Sequence, residues 1–333
     1  MTYYYAIKRR VENHGWRMFL VVLGMALLWI GCRTFPPSKP HPIPVILDTD
    51  IGGDIDDAWA LSFLMACPEL DVKLIVSDSH DTFEKARIIS EFLKSAGRVD
   101  IPIGVGVKGA EGTGSQEEWI KDYPGKVRLD GVQALIDTIM NSQEPITLLA
   151  IGPVPNLELA LEREPRIVEK ARLVVMAGCI GKQEQGEPGF PEYNVRKNAK
   201  AARKAYSAAW DVTMTPIDTV GKIRLEGECY AQVRNARNPM ARLLMEQYHA
   251  WNQKQTTHRQ DIARTSSILW DTLAIYLAFD DEFCHLRDIR LSVTDEGITK
   301  PTPDGKLTHV AIEWKDLDSF HKLLAERIAN YRR

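Results

Sequence analysis

The sequence has few cysteines, no excess of basic residues and no internal repeat. Its five cysteines are dispersed over 333 residues, without the close pairing that a zinc site or a disulfide scaffold requires. The formal net charge is −3, so no basic surface indicates a nucleic-acid partner. Hydrophobic residues make up 44% of the chain, which is enough for one large α/β domain or two modest ones.

A hydrophobic run long enough to span a membrane is also missing. The uncharged stretch Met18–Cys32 contains roughly fifteen apolar residues, whereas a span needs about twenty. Four basic residues precede this stretch, which is the pattern of a secretory signal. Ile30-Gly31-Cys32 is similar to the end of a bacterial lipoprotein signal and predicts a lipidated Cys32, although Trp29 stands where that signal prefers Leu. An uncleaved membrane anchor is the alternative.

This N-terminal pattern divides the chain into three segments. We predict that residues 1–31 are a signal peptide or a membrane anchor. Residues 32–43 form a proline-rich linker, since five prolines occur between Arg33 and Pro44. Residues 44–333 form the folded domain, which we expect outside the cytoplasm and tethered to a membrane through the N-terminus.

Short apolar runs alternate with helical patterns throughout this domain. Helical spacing is visible at residues 83–96, 129–140 and 157–161, and Gly97 provides a stop for the first of these helices. The alternation predicts an α/β fold with an open, mostly parallel, Rossmann-like sheet and helices on both faces. Ligands bind such sheets beyond the carboxyl ends of the strands. The predicted strands are Val45–Leu47, Val72–Val76, Ile101–Val107, Ile146–Ile151 and Leu173–Met176.

Five carboxylates follow the first predicted strand within ten residues. They lie in the segment Asp48-Thr49-Asp50-Ile51-Gly52-Gly53-Asp54-Ile55-Asp56-Asp57. Clustered carboxylates repel one another, so a chain keeps them at a buried strand end when a cation neutralises them. Hard oxygen ligands favour calcium or magnesium over zinc or copper. The predicted loops at Gly152 and Gly178 also follow strands and should reach the same edge of the sheet.

Two other motifs share part of this pattern. An EF-hand loop starting at Asp48 would need a glutamate at its twelfth position, where the chain has Trp59. A phosphatase of the haloacid-dehalogenase type also begins with Asp-x-Asp after a strand. It usually has Thr or Val two residues after the second Asp, where this chain has Gly52. The phosphatase is a distant alternative.

Four segments of the domain carry motifs that share their order with a known family: Asp48–Leu61, Ile146–Asn156, Val175–Gly178 with Glu192-Tyr193-Asn194, and Trp270-Asp271. In these segments the chain resembles the nucleoside hydrolase family, in its inosine/uridine-preferring form. The resemblance implies the nucleoside hydrolase fold, a catalytic domain at residues 44–333 and calcium-dependent hydrolysis of an N-glycosidic bond. This chain has two additional residues between Gly52 and the acidic pair, which leaves the role of Asp54 open.

The resemblance also implies roles for individual residues. Asp50, Asp57, Asp271 and the main-chain carbonyl of Ile151 would bind the metal ion, and Asp50 would also be the general base toward the attacking water. Ribose would be bound by Asp56, Glu192 and Asn194. A plain helix N-cap is the other interpretation of Asp56, and loop hydrogen bonding is the other interpretation of Glu192 and Asn194. Asp48 would orient the site, and Asn156 would cap a helix.

The residues that would contact the leaving base depart from the family pattern. Some members have a histidine directly before the last metal ligand, whereas this chain has Trp270, as the purine-preferring branch does. We therefore expect a purine to stack on Trp270, with a core aromatic residue as the alternative. Asp81 lies close to the carboxylate that this branch uses near the base, and His80 is another candidate proton donor. A solvated loop residue is the alternative interpretation of both. The Gly-Asn pair of many members is missing here.

The predicted protein is thus a calcium-dependent nucleosidase that releases a free base and ribose from purine ribonucleosides. Without residues 1–31 the formal charge becomes −6, which favours neutral nucleosides over phosphorylated ones as substrates. A nucleoside- or sugar-binding member with weak or absent catalysis is the alternative. The expected partners are a small-molecule nucleoside and a membrane tether, without nucleic acid, and the sequence leaves homo-oligomerisation open.

Overall fold

A ten-stranded sheet forms the centre of the described residues. The computed structural model describes residues 41–109, 118–181, 189–257 and 259–333. The strands are β1 (Ile43–Thr49), β2 (Leu70–Ser77), β3 (Ile103–Val105), β4 (Val127–Arg128), β5 (Ile146–Ala150), β6 (Ala171–Met176), β7 (Val212–Thr215), β8 (Cys284–Val293), β9 (Thr299–Pro301) and β10 (Lys306–Trp314).

The strand order is β4-β3-β2-β1-β5-β6-β7-β10-β8-β9. Neighbours from β4 through β7 to β10 are parallel, whereas β8 pairs antiparallel with both β10 and β9. The sheet is therefore mostly parallel, which confirms the predicted α/β class. Since the chain adds β2 to β4 on one side of β1 and β5 to β7 on the other, the strand order reverses between β1 and β5. A ligand crevice is expected at this position.

Helices cover both faces of the sheet. In the described residues they are α1 (Asp56–Met65), α2 (Thr82–Ser95), α3 (Glu118–Asp122), α4 (Gly131–Asn141), α5 (Pro155–Arg163), α6 (Tyr193–Lys197), α7 (Ala199–Ser207), α8 (Ile217–Val220), α9 (Gly227–Arg234), α10 (Pro239–Lys254), α11 (Thr272–Tyr276) and α12 (Leu317–Ala329). No helix of this described set is both long and apolar enough to cross a bilayer.

Strand β1 shows why the central strands are continuously apolar. Its neighbours β2 and β5 occupy both edges, and side chains of β1 alternate between two hydrophobic cores. Val45 and Leu47 enter one core and Ile46 the other. A strand buried on both faces needs apolar residues at successive positions, and its first polar residues mark the carboxyl end. In β1 those residues are Asp48 and Thr49.

The helix after the acidic cluster is buried along its whole length. All ten residues of α1 are buried, including its first two, Asp56 and Asp57. The acidic pair is therefore inside the protein because the helix that carries it is packed on every side.

The segment around α10 corrects one prediction. The polar composition of residues 235–265 predicts a surface helical subdomain near the ligand site, but Met240, Ala241, Leu244 and Tyr248 are fully buried in the main core. The last turn of α10 reaches the cavity through Trp251, and Gln255, directly after the helix, also lines it.

Candidate active site

Three aspartates form a tight group at the crevice between β1 and β5. One carboxylate oxygen each of Asp56, Asp57 and Asp271 lies within 4.8 Å of the others. Asp56 and Asp57 are the first residues of α1, and Asp271 directly precedes α11. The structure thus brings Asp271 next to residues that occur more than half the chain earlier. Their carboxylates can share one cation.

The environment of this group fits a bound cation. Burial, followed by the negative charges of neighbouring aspartates, raises the pKa of Asp56, Asp57 and Asp271 well above the ordinary value. The Oδ1 atom of Asp56 is buried and has no hydrogen-bond partner among the described residues. Three repelling carboxylates with an unsatisfied oxygen are costly to bury, and a divalent cation would remove that cost. All the side-chain atoms that could ligate the cation are oxygens, which suits calcium or magnesium.

Asp56 is not a simple helix cap. The N-cap position of α1 belongs to Ile55, and no side chain caps the helix there. Asp56 is the first helical residue, so its carboxylate lies at the positive end of the helix dipole. Its side chain lines the cavity together with Asp57 and Asp271.

Asp50 lies beside the three aspartates, on the turn that follows β1. It lines the same cavity, and its charge contributes to the raised pKa of Asp56, Asp57 and Asp271. Burial raises the pKa of Asp50 itself, while the nearby Lys85 and His80 act in the opposite direction. Gly52 occupies the left-handed region at φ +98°, which lets the chain turn sharply before α1.

The cavity has a volume of about 560 Å³. Eight residues predicted for the metal or the substrate line it: Asp50, Asp56, Asp57, Ile151, Glu192, Asn194, Trp270 and Asp271. The structure therefore gathers these residues around one space, while their individual roles stay predictions. Asp54 also lines the cavity and accepts a hydrogen bond from the backbone N–H of Ile55 at 2.7 Å.

Glu192 and Asn194 connect three loops at the floor of the cavity. The Glu192 carboxylate accepts backbone N–H groups from Gly178 at 3.1 Å and Asn194 at 2.9 Å. The Asn194 amide donates to the carbonyl of Ile151 at 3.2 Å, which is the carbonyl predicted to bind the metal. A carbonyl oxygen has two lone pairs, so this hydrogen bond leaves one for a cation.

Aromatic side chains line the outer part of the cavity. Trp270 is half-buried and packs over Gly221, where a Cβ atom would lie 3.1 Å from the indole ring. Trp251 belongs to the last turn of α10 and stacks on Tyr248, with ring centroids 6.0 Å apart. Phe190 and Tyr193 complete this lining. The sequence did not indicate Trp251, which lies far from the four family-like segments, or Phe190, which lies two residues before Glu192.

The two candidate proton donors, Asp81 and His80, lie in the loop between β2 and α2 and have different surroundings. Asp81 is the N-cap of α2 and accepts the backbone N–H of Glu84 at 3.2 Å, and it is not among the residues that line the cavity. His80 lies within hydrogen-bond distance of the Tyr193 hydroxyl, with 3.3 Å between Nε2 and Oη. Ser79 and His80 both have positive φ, at 58° and 50°. Consecutive non-glycine residues in this region are strained, as is common near functional sites.

Asp48 supports the site from inside the protein. It is fully buried, and its carboxylate accepts a hydrogen bond from the Asn156 amide at 3.0 Å. Burial raises the pKa of Asp48 to about 7, and burial followed by the charge of Asp48 raises that of its neighbour Asp78. Asn156 was expected to cap a helix, but that position belongs to Val154. Asn156 instead joins Asp48 to the backbone of Val107.

The fold and the site define a class of α/β protein that carries a buried group of carboxylates at the switch point of its sheet, where such proteins bind their ligands. Within that class, the family model for inosine-uridine preferring nucleoside hydrolase matches residues 45–320, and the chain belongs to this family. It is accordingly an N-glycosyl hydrolase of the nucleosidase type.

Similar proteins support this assignment over most of the chain. The non-specific ribonucleoside hydrolase RihC of Klebsiella pneumoniae is 26% identical over 309 residues, which are 86% of this chain and 98% of that protein. The pyrimidine-specific ribonucleoside hydrolase RihA of Escherichia coli is 30% identical over 223 residues, which are 61% of this chain and 70% of that protein.

Solved structures share the fold. The purine-preferring ribonucleoside hydrolase of Gardnerella vaginalis superposes with a TM-score of 0.68 at 20% identity, over 86% of this chain and 98% of that one. A plant nucleoside hydrolase, the PpNRh1 enzyme, gives a TM-score of 0.70 at 22% identity, over 86% and 99%. These likenesses confirm the nucleoside hydrolase fold.

Proposed function

We propose that the protein hydrolyses the N-glycosidic bond of ribonucleosides in a calcium-dependent reaction, with a preference for purines. The observation that supports it most is the group Asp56, Asp57 and Asp271, with Asp50 beside it, in the wall of one cavity. A cavity of about 560 Å³ suits a ligand of nucleoside size. The products would be the free base and ribose.

The residues that would hold the ion are Asp50, Asp57, Asp271 and the carbonyl of Ile151. Calcium accommodates six to eight oxygen ligands in flexible geometry, which suits carboxylates on separate elements better than the stricter octahedron of magnesium. When bound, the ion supplies a Lewis acid that acidifies water and binds vicinal hydroxyls. The same site would therefore serve water activation and ribose binding.

The side chains of the protein would perform the remaining steps. Asp50 accepts the proton of the water that attacks C1′, as a general base. Asp56, Glu192 and Asn194 bind ribose hydroxyls and hold the sugar while positive charge develops on the ring. Burial of these groups strengthens their electrostatic effect on that charge.

The leaving base would lie against the aromatic lining, with Trp270 as its main contact. Related enzymes are named non-specific, pyrimidine-specific and purine-preferring, so similarity to them does not identify the preferred base. A purine offers a larger flat face to an indole than a pyrimidine does. This difference in stacking area supports a purine preference.

Replacing Trp270 with alanine is expected to lower kcat/KM for inosine about tenfold and to lower that for uridine less than threefold. Stacking of one base on an aromatic ring contributes about 1–3 kcal/mol, and the larger ring system loses more when the indole is removed. Steady-state kinetics with both nucleosides measure the two losses. Trp270→Phe keeps a flat ring and serves as the control. Equal losses for inosine and uridine would argue against stacking at this residue.

A proton for the leaving base would come from the loop between β2 and α2, with Asp81 as the first candidate and His80 as the second. Asp81→Asn separates the two roles of this residue, because asparagine also caps helices well but cannot act as a carboxylic acid. We expect unchanged thermal stability and slower purine turnover in this variant. Unchanged turnover would show that Asp81 caps the helix and does not donate the proton.

The general proposal is tested by incubating the purified protein with inosine, adenosine and uridine, with and without a chelator. Free base that appears only in the presence of calcium is the expected result. Tight nucleoside binding without turnover would instead identify the non-catalytic binding member considered from the sequence. Phosphate release from a monoester would point to the phosphatase.

A tether to a membrane on the extracytoplasmic side is a further part of the proposal. It depends on the signal pattern and Cys32, and residues 1–40 lie outside the described part of the chain. Fractionation of cells that express the full chain or its Cys32→Ala variant tests it, and an equally soluble location of both would contradict lipidation.

A further inference from the structure

We propose that Lys85 is a positioning residue for the metal site, whose ammonium group holds the Asp50–Ile51 backbone in the conformation that presents Asp50 to the cation. This inference rests on the proposed metal-dependent function. Lys85 lies on α2 and belongs to none of the segments that carry the family resemblance. It would act through Asp50 rather than by touching substrate.

The contacts of Lys85 are unusual for a lysine. Its side chain is buried, and Nζ donates hydrogen bonds to the carbonyl oxygens of Asp50 and, at 3.2 Å, of Ile51. Within the described residues it forms no ion pair with a carboxylate, although Asp50 and Asp57 are close enough for its charge to affect their pKa. A buried ammonium group is costly unless hydrogen-bonded, and here the backbone of one turn supplies those bonds.

This turn depends on support from outside itself. It contains two consecutive glycines, and Gly52 has a φ of +98°, so the local backbone has little intrinsic preference for one conformation. On one side, the Thr49 hydroxyl accepts the N–H of Ile51 at 3.2 Å and donates to Asp57. On the other side, α2 contributes Lys85 and Ile88, whose Cδ1 lies against Gly52. Lys85 is therefore the polar anchor that ties Asp50 to a rigid helix.

Positioning and plain electrostatics predict opposite effects of removing this lysine. A positive charge close to a cation site repels the cation, so its loss would tighten calcium binding if charge were its main contribution. If the lysine holds the turn, its loss frees Asp50 and weakens calcium binding. Groups that orient metal ligands commonly change affinity by about 10–100-fold when they are replaced.

The test is calcium titration of the full chain and its Lys85→Met variant by isothermal calorimetry, without substrate. Methionine keeps much of the apolar volume and removes the donors and the charge. We expect about tenfold weaker calcium binding, together with a smaller rise of the melting temperature on adding calcium. Lys94→Met, an exposed lysine on the same helix, is the matched control and should bind calcium like the unaltered chain.

Each outcome bears on a distinct claim. Calcium binding by Lys85→Met that is equal to or tighter than that of the unaltered chain overturns the positioning role while leaving the proposed function intact. Failure of the unaltered chain to bind calcium overturns the proposed function and this inference with it. If Lys85→Met does not fold, Lys85→Gln carries the same test, since it also loses the charge and the reach to both carbonyls.

Discussion

Replacing Asp50 with alanine is expected to lower kcat/KM for nucleosides at least about a thousandfold. The substitution removes the proposed general base, a role that contributes about 10²–10⁴-fold, and one proposed metal ligand at the same position. Asp50 lines the cavity beside Asp57 and Asp271, where alanine would offer neither a proton acceptor nor a ligand oxygen. Release of free base from inosine, followed at saturating calcium, measures the loss.

The control for this prediction is Asp304→Ala, which removes an exposed aspartate outside the cavity and should leave turnover unchanged. Calorimetric calcium titration of Asp50→Ala adds a second readout, because loss of a ligand should weaken calcium binding as well as turnover. If Asp50→Ala retained a tenth of the activity, neither assigned role would stand.

Removing the proposed calcium ion is expected to destabilise the protein, and more at high pH than at low pH. Burial followed by mutual repulsion raises the pKa of Asp56, Asp57 and Asp271 in the folded state, and burial raises that of Asp48 to about 7 from 3.8. The calcium-free folded chain therefore holds protons that the unfolded chain has already released. The contribution of these groups to its free energy of unfolding is therefore largest below about pH 4, and it is lost as the pH rises through about 7.

Calcium should reverse this loss, since it stabilises the ionised carboxylates that the calcium-free protein cannot tolerate. At a free calcium concentration about 100 times the dissociation constant, the gain would be about 2.7 kcal/mol. For a domain that spans residues 44–333 we expect a rise in melting temperature of roughly 4–5 °C at pH 8 and a much smaller rise at pH 5. Thermal unfolding with calcium and with a chelator, at both pH values, measures the two rises. Rises of equal size would argue against an ion bound beside this group of carboxylates.

Much of the fold could be predicted because central parallel strands are apolar on both faces. The predicted strands at Val45, Val72, Ile146 and Leu173 fall within β1, β2, β5 and β6, and the helix at residues 83–96 matches α2 within one residue. Strand β8 was missed because most of its first half is exposed and carries His, Arg and Asp residues. Such a strand lacks both the apolar run and a clean alternation.

The site was predictable only where its residues are adjacent in sequence. The segment Asp48–Asp57 indicates a cation by its charge density alone, whereas Asp271 was associated with it through a family resemblance. Trp251 comes from the end of α10, a helix that the sequence suggested was a surface subdomain. Lys85 gave no signal, because a lysine on a helix is usually solvated and its two acceptors are backbone carbonyls of a distant turn.

The sequence by itself determined the mostly parallel sheet and the acidic turn that follows its first strand, because hydrophobic periodicity and charge density are local properties of the chain. Only the tertiary structure decided which groups surround that turn. Burial of α1 on all sides places Asp56 and Asp57 against Asp271, and packing of α2 places a lysine beneath Asp50. These contacts depend on the packing of elements far apart in the chain, and no local pattern encodes them.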